Sequence, residues 1–166
     1  MKYFYAGIVL SALMGCESER KTLYDVKTLP TEWVRLTKTS EGLVVYNTCD
    51  AGNLLLTITH TGKKSEIFLH GQQEDQEFEI LNAYQTKNDT IVVKTKWKGT
   101  RTAQDFKFIP AEKEKHLGRW ITTYPSGMTS NNIFVTTEKQ MHYPKIDQPC
   151  KECWGEECDD EVKNEL

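Results

Sequence analysis

Between Trp33 and Gln140 the chain is a succession of short runs in which apolar and polar residues alternate, each closed by turn-forming residues. Nine such runs can be marked, at residues 32–38, 42–49, 54–61, 65–71, 77–85, 90–97, 105–110, 118–125 and 132–140. They are rich in Val, Ile, Thr, Tyr and Phe. Stretches such as SEG, DAGN, TGKK, TKND, KGTR and SGMTSN separate them at intervals of about ten residues, the spacing of an antiparallel β protein. A period of two is what distinguishes a half-buried strand from a buried helix. Leu54, Leu56 and Ile58 share one face, as do Phe78, Ile80 and Tyr84, and Ile91, Val93 and Trp97. These faces are predicted to be core, with the Thr, Lys, Glu and Asn residues between them in water, so that Lys94 points away from Val93. Only AEKEKHL, residues 111–117, reads as helical, and it is barely two turns long. The expected fold is all-β, an antiparallel meander of about nine strands closed as a small barrel or split into a sandwich, because bare edges have to be avoided. Trp33, Trp97, Trp120 and Phe68 are the large side chains expected to fill its interior.

Ahead of this region the pattern is different. A single basic residue, Lys2, precedes the uncharged segment YFYAGIVLSALM, residues 3–14, and the chain turns polar after Cys16. That segment is shorter than the about 20 apolar residues a permanent membrane-spanning helix needs, and it reads as the core of a signal peptide covering residues 1–15. Residues 16–31 show few apolar positions, no sustained helical repeat and a closing Pro30, the character of a tether. The β domain is placed at residues 32–145, and residues 146–166 form a cysteine-containing acidic tail.

The tetrapeptide LMGC, ending at Cys16, resembles the bacterial lipobox, in which a branched apolar residue and a small residue precede an invariant cysteine. The resemblance implies cleavage behind Gly15, a diacylglycerol on the Cys16 sulfur and an acyl chain on the new amino group. Such a protein is anchored to a membrane without spanning it. An ordinary secretory cut at the same place would put bulky Leu13 where a small residue is expected. The following ESER lacks the Asp that in enterobacteria marks inner-membrane retention, and it is similar to the short acidic export signal of Bacteroidota surface lipoproteins. The implied address is the outer membrane, facing the periplasm or the cell surface.

Residues 29–58, LPTEWVRLTKTSEGLVVYNTCDAGNLLLTI, resemble the start of small Bacteroidota envelope lipoproteins, where a Trp strand, a strand ending in Cys-Asp and an apolar strand follow one another. The meander as a whole is similar to lipocalin-like domains, although the Gly-x-Trp motif stands at Gly118–Trp120, near the end, and not on the first strand. YNTCDAGN, residues 46–53, is similar to a strand of membrane-bound lysozyme inhibitors. The triplet DTI, Asp89–Ile91, resembles the acceptor of Bacteroidota O-glycosylation, which implies a glycan on Thr90. Asn88-Asp89 between two apolar runs is also hairpin-turn chemistry, and the two readings are compatible.

With 21 basic against 24 acidic side chains the chain carries a net charge of −3, and no basic face of the kind a nucleic acid requires is visible. The charge is uneven, since residues 151–166 hold seven Asp or Glu against Lys151 and Lys163. An acidic terminal run of this type is a solvated tail.

Four cysteines besides Cys16 remain: Cys49 at a strand end, and Cys150, Cys153 and Cys158 in CKECWGEECDDE. In an exported protein an even count points to two disulfides, with three connectivities open. The rival reading is a zinc site, C-x2-C-x4-C completed by Cys49 or His142. A redox role for CKEC lacks the βαβ setting such motifs occupy. His60, His70, His116 and His142 are scattered, and Ser126 lacks a Gly-x-Ser-x-Gly context. No catalytic residue, metal ligand set or cofactor is therefore expected. Two function classes remain: a non-catalytic module docking an envelope or extracellular protein, with a lysozyme-inhibitor-like protein as one variant, and a lipocalin-like carrier of a small apolar ligand. Interior volume separates them, because a carrier needs a cavity of roughly 300 Å³ or more.

Overall fold

Alternating side chains commit the chain to strands, and the turn residues between them commit neighbouring strands to antiparallel pairing. A computed structural model describes residues 21–49, 53–71 and 74–149. Its strands are β1 (Thr22–Leu23), β2 (Glu32–Thr39), β3 (Gly42–Asn47), β4 (Leu55–Thr61), β5 (Lys64–His70), β6 (Gln76–Gln85), β7 (Ile91–Trp97), β8 (Ala103–Pro110), β9 (Leu117–Thr123), β10 (Thr129–Thr136) and β11 (Lys145–Asp147). Two 3-10 helices, Val26–Thr28 and Thr137–His142, complete the described elements.

Eight of these strands, β2 and β4 to β10, form a closed antiparallel barrel, sealed where β10 pairs with β2 from Ile133 opposite Leu36 to Thr136 opposite Trp33. The closure resolves the choice between barrel and sandwich, and it removes the bare edges of an open sheet. Besides β10, β2 is shared between two further partners. Its first residues, Glu32–Val34, pair with β4, whereas Leu36–Thr39 leave the barrel wall to pair with β3. β11 then adds to β3 in parallel, Lys145 opposite Val45 through Asp147 opposite Asn47.

The inward faces form one core of Trp33, Leu56, Ile58, Ile67, Phe78, Ala83, Ile91, Val93, Phe106, Phe108, Trp120 and Phe134. A second, smaller cluster, Val34, Leu36, Val45 and Val135, lies on the other face of the β2–β10 seam, with Leu43, Leu117, Ile133 and Tyr143 packed around it. The neighbours Trp33 and Val34 are thus both buried, on opposite sides of one strand.

The nine expected runs fall on β2 to β10, with boundaries shifted by a few residues. Four details differ. Pairing between β6 and β7 slips between Ile80 and Asn82, a bulge that leaves Leu81 exposed and brings Ala83 inward in place of Tyr84. Phe68 lies on the outer side of β5 with Glu66 and His70 and stacks on the His70 ring, so it does not fill the interior. Residues 111–117 form no helix: Ala111 N donates to Leu117 O and Lys115 adopts a φ of 59°, the geometry of a hairpin loop. From Thr22 onward the expected tether is part of the domain, and the expected tail contributes β11.

Candidate functional site

In an antiparallel meander, successive hairpins lie at alternate ends of the barrel, and the two ends of this barrel are built differently. At one end residues 24–31 run across the opening. Tyr24 N donates to Ala83 O, Ile58 N donates to Thr31 O at 2.7 Å, and the Trp33 indole N–H donates to Pro30 O at 2.8 Å. Asp25 caps the first 3-10 helix through Lys27 N. Lys27 Nζ reaches Gly62 O in the β4–β5 turn, and Lys115 Nζ in the β8–β9 loop donates to Tyr24 OH at 2.9 Å. Leu29 closes the hole as a member of the barrel core, 3% exposed.

Above this plug the interior is filled by aromatic rings. Trp33 meets Phe108 and Trp120 edge-on at centroid distances of 5.0 and 5.8 Å, and Phe78 meets Phe106 at 5.0 Å. These are the separations at which edge-to-face pairs attract beyond simple burial. Phe134 completes the set, and none of the six rings is more than 2% exposed. Trp97 is half-buried and packs against Phe78 from the side.

The opposite end stays open. A pit of about 160 Å³ lies there, with Leu54, Leu56, Leu69, Trp120 and Phe134 in its wall, and Glu74, Gln76, Thr122, Tyr124, Ser130 and Asn132 supplying polar groups. Trp120 is 1% exposed, yet its Nε1 has no hydrogen-bond acceptor among the described residues. A buried donor left in that state costs about 1–3 kcal/mol. Sequence reasoning placed Trp120 in the core but could not find the pit, whose wall is drawn from β4, β5, β6, β9, β10 and the adjoining loops. Larger hollows among the described residues are open surface grooves, one of about 490 Å³ beside Leu36, Tyr46 and Ile133 among them. One of about 660 Å³ is lined by Val45, Leu55, Met141, Tyr143 and Lys145 outside the barrel, and one of about 610 Å³ at the plugged end includes Glu32, Glu114, His116 and Glu138.

The outer face of β5 to β8 is charged and paired. Lys98 Nζ bridges Glu66 at 2.8 Å and also Glu77, and Lys94 pairs with Asp105 directly across the β7–β8 ladder. The hydrogen bond from Lys94 to Asp105 holds the ammonium above its ordinary pKa against a smaller opposing effect of desolvation. Burial raises the pKa of Tyr143, with the nearby Glu112 carboxylate adding to the effect.

The residues singled out in the sequence are dispersed. Cys16, Cys150, Cys153 and Cys158 lie outside the described residues. Cys49 follows β3, with its Sγ 4.0 Å from Gln148 O. Thr90 ends the β6–β7 turn, where Thr86 N donates to Thr90 O, Asp89 has a φ of 58° and Gln85 Nε2 donates to Asp89 Oδ1. His60 Nδ1 lies 2.8 Å from Ser65 Oγ. Among the described residues no carboxylate orients this pair as in a hydrolytic triad, and His60 Nε2 is buried with no partner among them. His70 faces Asp75 at 3.2 Å and His116 faces Thr136 at 3.3 Å. Among the described residues no three His, Cys, Asp or Glu side chains converge as a metal site. No protein-family model matches the chain, and no curated protein and no solved structure matches it.

Proposed function

We propose that this protein is an exported β-barrel, anchored in the outer membrane through acyl chains on Cys16, that docks a protein partner without performing a reaction. The observation that carries the choice between docking and carriage is the interior. Six large rings occupy the space in which a lipocalin-like carrier holds its ligand, and the 160 Å³ left at the open end is about half the minimum for a drug-sized or acyl ligand. The LMGC tetrapeptide before a polar stretch supports the anchor, and the Asp89–Thr90 turn supports a glycan at Thr90.

Crosslinked affinity capture of the intact lipoprotein from its own envelope tests the docking reading. One envelope protein should be enriched stoichiometrically over an unrelated lipid-anchored barrel. Equal recovery from both, together with saturable binding of a fluorescent fatty acid by this protein, would transfer the reading to carriage.

The cysteines fit the same exported setting. Gln148 N donates to Asn47 O at 2.8 Å and Asn47 Nδ2 donates to Asp147 at 2.7 Å. The parallel register therefore delivers the chain beside Cys49 two residues before Cys150. We read Cys49 as one half of a disulfide. Cys150, which follows Pro149 directly, is the partner this register favours, leaving Cys153 and Cys158 to pair across four residues.

A further inference from the structure

We propose that the fork where β2 and β10 part, at the open end of the barrel, takes an extended acidic segment of a partner protein as an added strand. Barrel closure stops short at this place. The β2–β10 ladder runs from Trp33 opposite Thr136 to Leu36 opposite Ile133 and ends there. Beyond it Thr37–Thr39 pair with β3, on the other edge of β2, and Thr129–Asn132 pair with β9. Each stretch thus turns toward the other an edge with no ladder partner among the described residues. A hollow of about 490 Å³ lies between the two edges, with Thr37, Lys38, Asn131 and Asn132 in its wall. Free edges of this kind are the template for β-augmentation, in which main-chain hydrogen bonds supply affinity and alternate side chains supply specificity. Charge sets the chemistry of the segment. Arg35 and Lys38 line the hollow, and no Asp or Glu does. Arg119 stands opposite Ile133, and Lys107 opposite Ile121, both exposed and on the outer face that Lys38 shares. Asp105, on the same face of β8, is already paired with Lys94. An acidic strand therefore meets cations on both sides of the fork, whereas a basic one is repelled. The inference deepens the docking reading and rests on it, naming the surface and the kind of segment it takes.

The probe is a dye-labelled peptide of about ten residues alternating Glu with Val, long enough for one strand, titrated into the full-length protein and followed by anisotropy. It is expected to bind saturably. The same peptide with Lys for Glu, and the Glu peptide with alternate backbone amides N-methylated, should each bind about tenfold more weakly. Hydrogen exchange in the complex should slow at Thr129–Asn132 or at Thr37–Thr39. Lys38→Glu, at an exposed position outside both core clusters, should leave the fold intact and weaken binding about tenfold. No saturable binding, equal affinity for the Lys peptide, equal affinity for the N-methylated peptide, or unchanged exchange at both edges overturns the proposal. The chain's own end is acidic as well, and removing residues 159–166 takes away Asp159, Asp160, Glu161 and Glu165 while leaving the five cysteines in place. That truncation should change the affinity by less than about twofold, whereas a gain of about tenfold would give the fork to the chain's own tail and overturn the partner assignment. The docking reading fails separately, when envelope capture enriches nothing although the peptide binds. Capture undiminished in Lys38→Glu would keep docking and overturn its placement at the fork.

Discussion

Gly118 lies against the ring of Phe108 with no room for a methyl group between them: a Cβ at position 118 would stand 2.4 Å from Phe108 Cε2 and 2.6 Å from Ile109 O. The two residues sit on adjacent strands, where Gly118 is paired with Pro110 and Trp120 with Phe108. Gly118→Ala should therefore destabilise the barrel by about 1–3 kcal/mol through overpacking, read as a lower urea midpoint at unchanged slope. Phe108→Leu in the same chain should cost less in the Gly118→Ala background than alone.

Val93 is fully buried and faces inward, and Lys107 on the neighbouring strand is exposed. Val93→Asp should cost several kcal/mol by burying an unpaired carboxylate, whereas Lys107→Asp should change stability by less than about half a kcal/mol. Thermal melts of the two variants decide it. Lys94, although it points outward as the sequence predicts, is a poor control, since Lys94→Asp would place two carboxylates opposite each other at positions 94 and 105.

The Lys94–Asp105 pair gives a pH signature. Because the folded protein holds the Lys94 ammonium above its ordinary value of 10.5, the pair's contribution is complete below that pH and is lost as pH rises through the higher folded value. Both side chains are about one third exposed, so the contribution is expected to stay below about 1 kcal/mol. The stability gap between wild type and Lys94→Met, measured by urea unfolding, should be present at pH 7 and should shrink above pH 10.5.

Peptide mapping without reductant should recover Cys49 joined to Cys150 and Cys153 joined to Cys158. A bridge closing a loop of about a hundred residues stabilises by up to roughly 4.7 kcal/mol in the chain-entropy picture, so Cys49→Ser with Cys150→Ser should lower the melting temperature markedly. Stoichiometric zinc in the purified protein, or a different pairing, would displace this assignment.

Cys16→Ser should abolish incorporation of a clickable fatty acid and release the chain from the membrane fraction. Equal labelling of variant and wild type would remove the anchor from the functional reading.

Nine strands are legible in the sequence because their signal is local, with alternation within a run and turn residues between runs. What could not be read depends on partners distant in sequence. β1 is two residues long and exists because β6 has an unpaired stretch where β5 has ended. β11 has three residues, and β3 supplies its edge. Leu81 looks like any strand residue until the β6–β7 ladder slips there. The 111–117 segment has good helix formers, but the β8–β9 ladder on either side forces it to close as a hairpin, and tertiary pairing outweighs propensity. The pit is invisible for the same reason, since its residues become neighbours only when the barrel closes.

The strap of residues 24–31 across one end of the barrel also bears on which way the molecule would look if Cys16 carries the proposed anchor. Only five residues separate Cys16 from Thr22, a reach over six residue steps of at most about 20 Å, and Thr22 joins the barrel beside Gln85, at the strapped end. With the acyl anchor proposed at Cys16, so short a leash would hold that end toward the bilayer. The mouth with Trp120 beneath it would then point outward, along the membrane normal, into the compartment from which any visitor must approach.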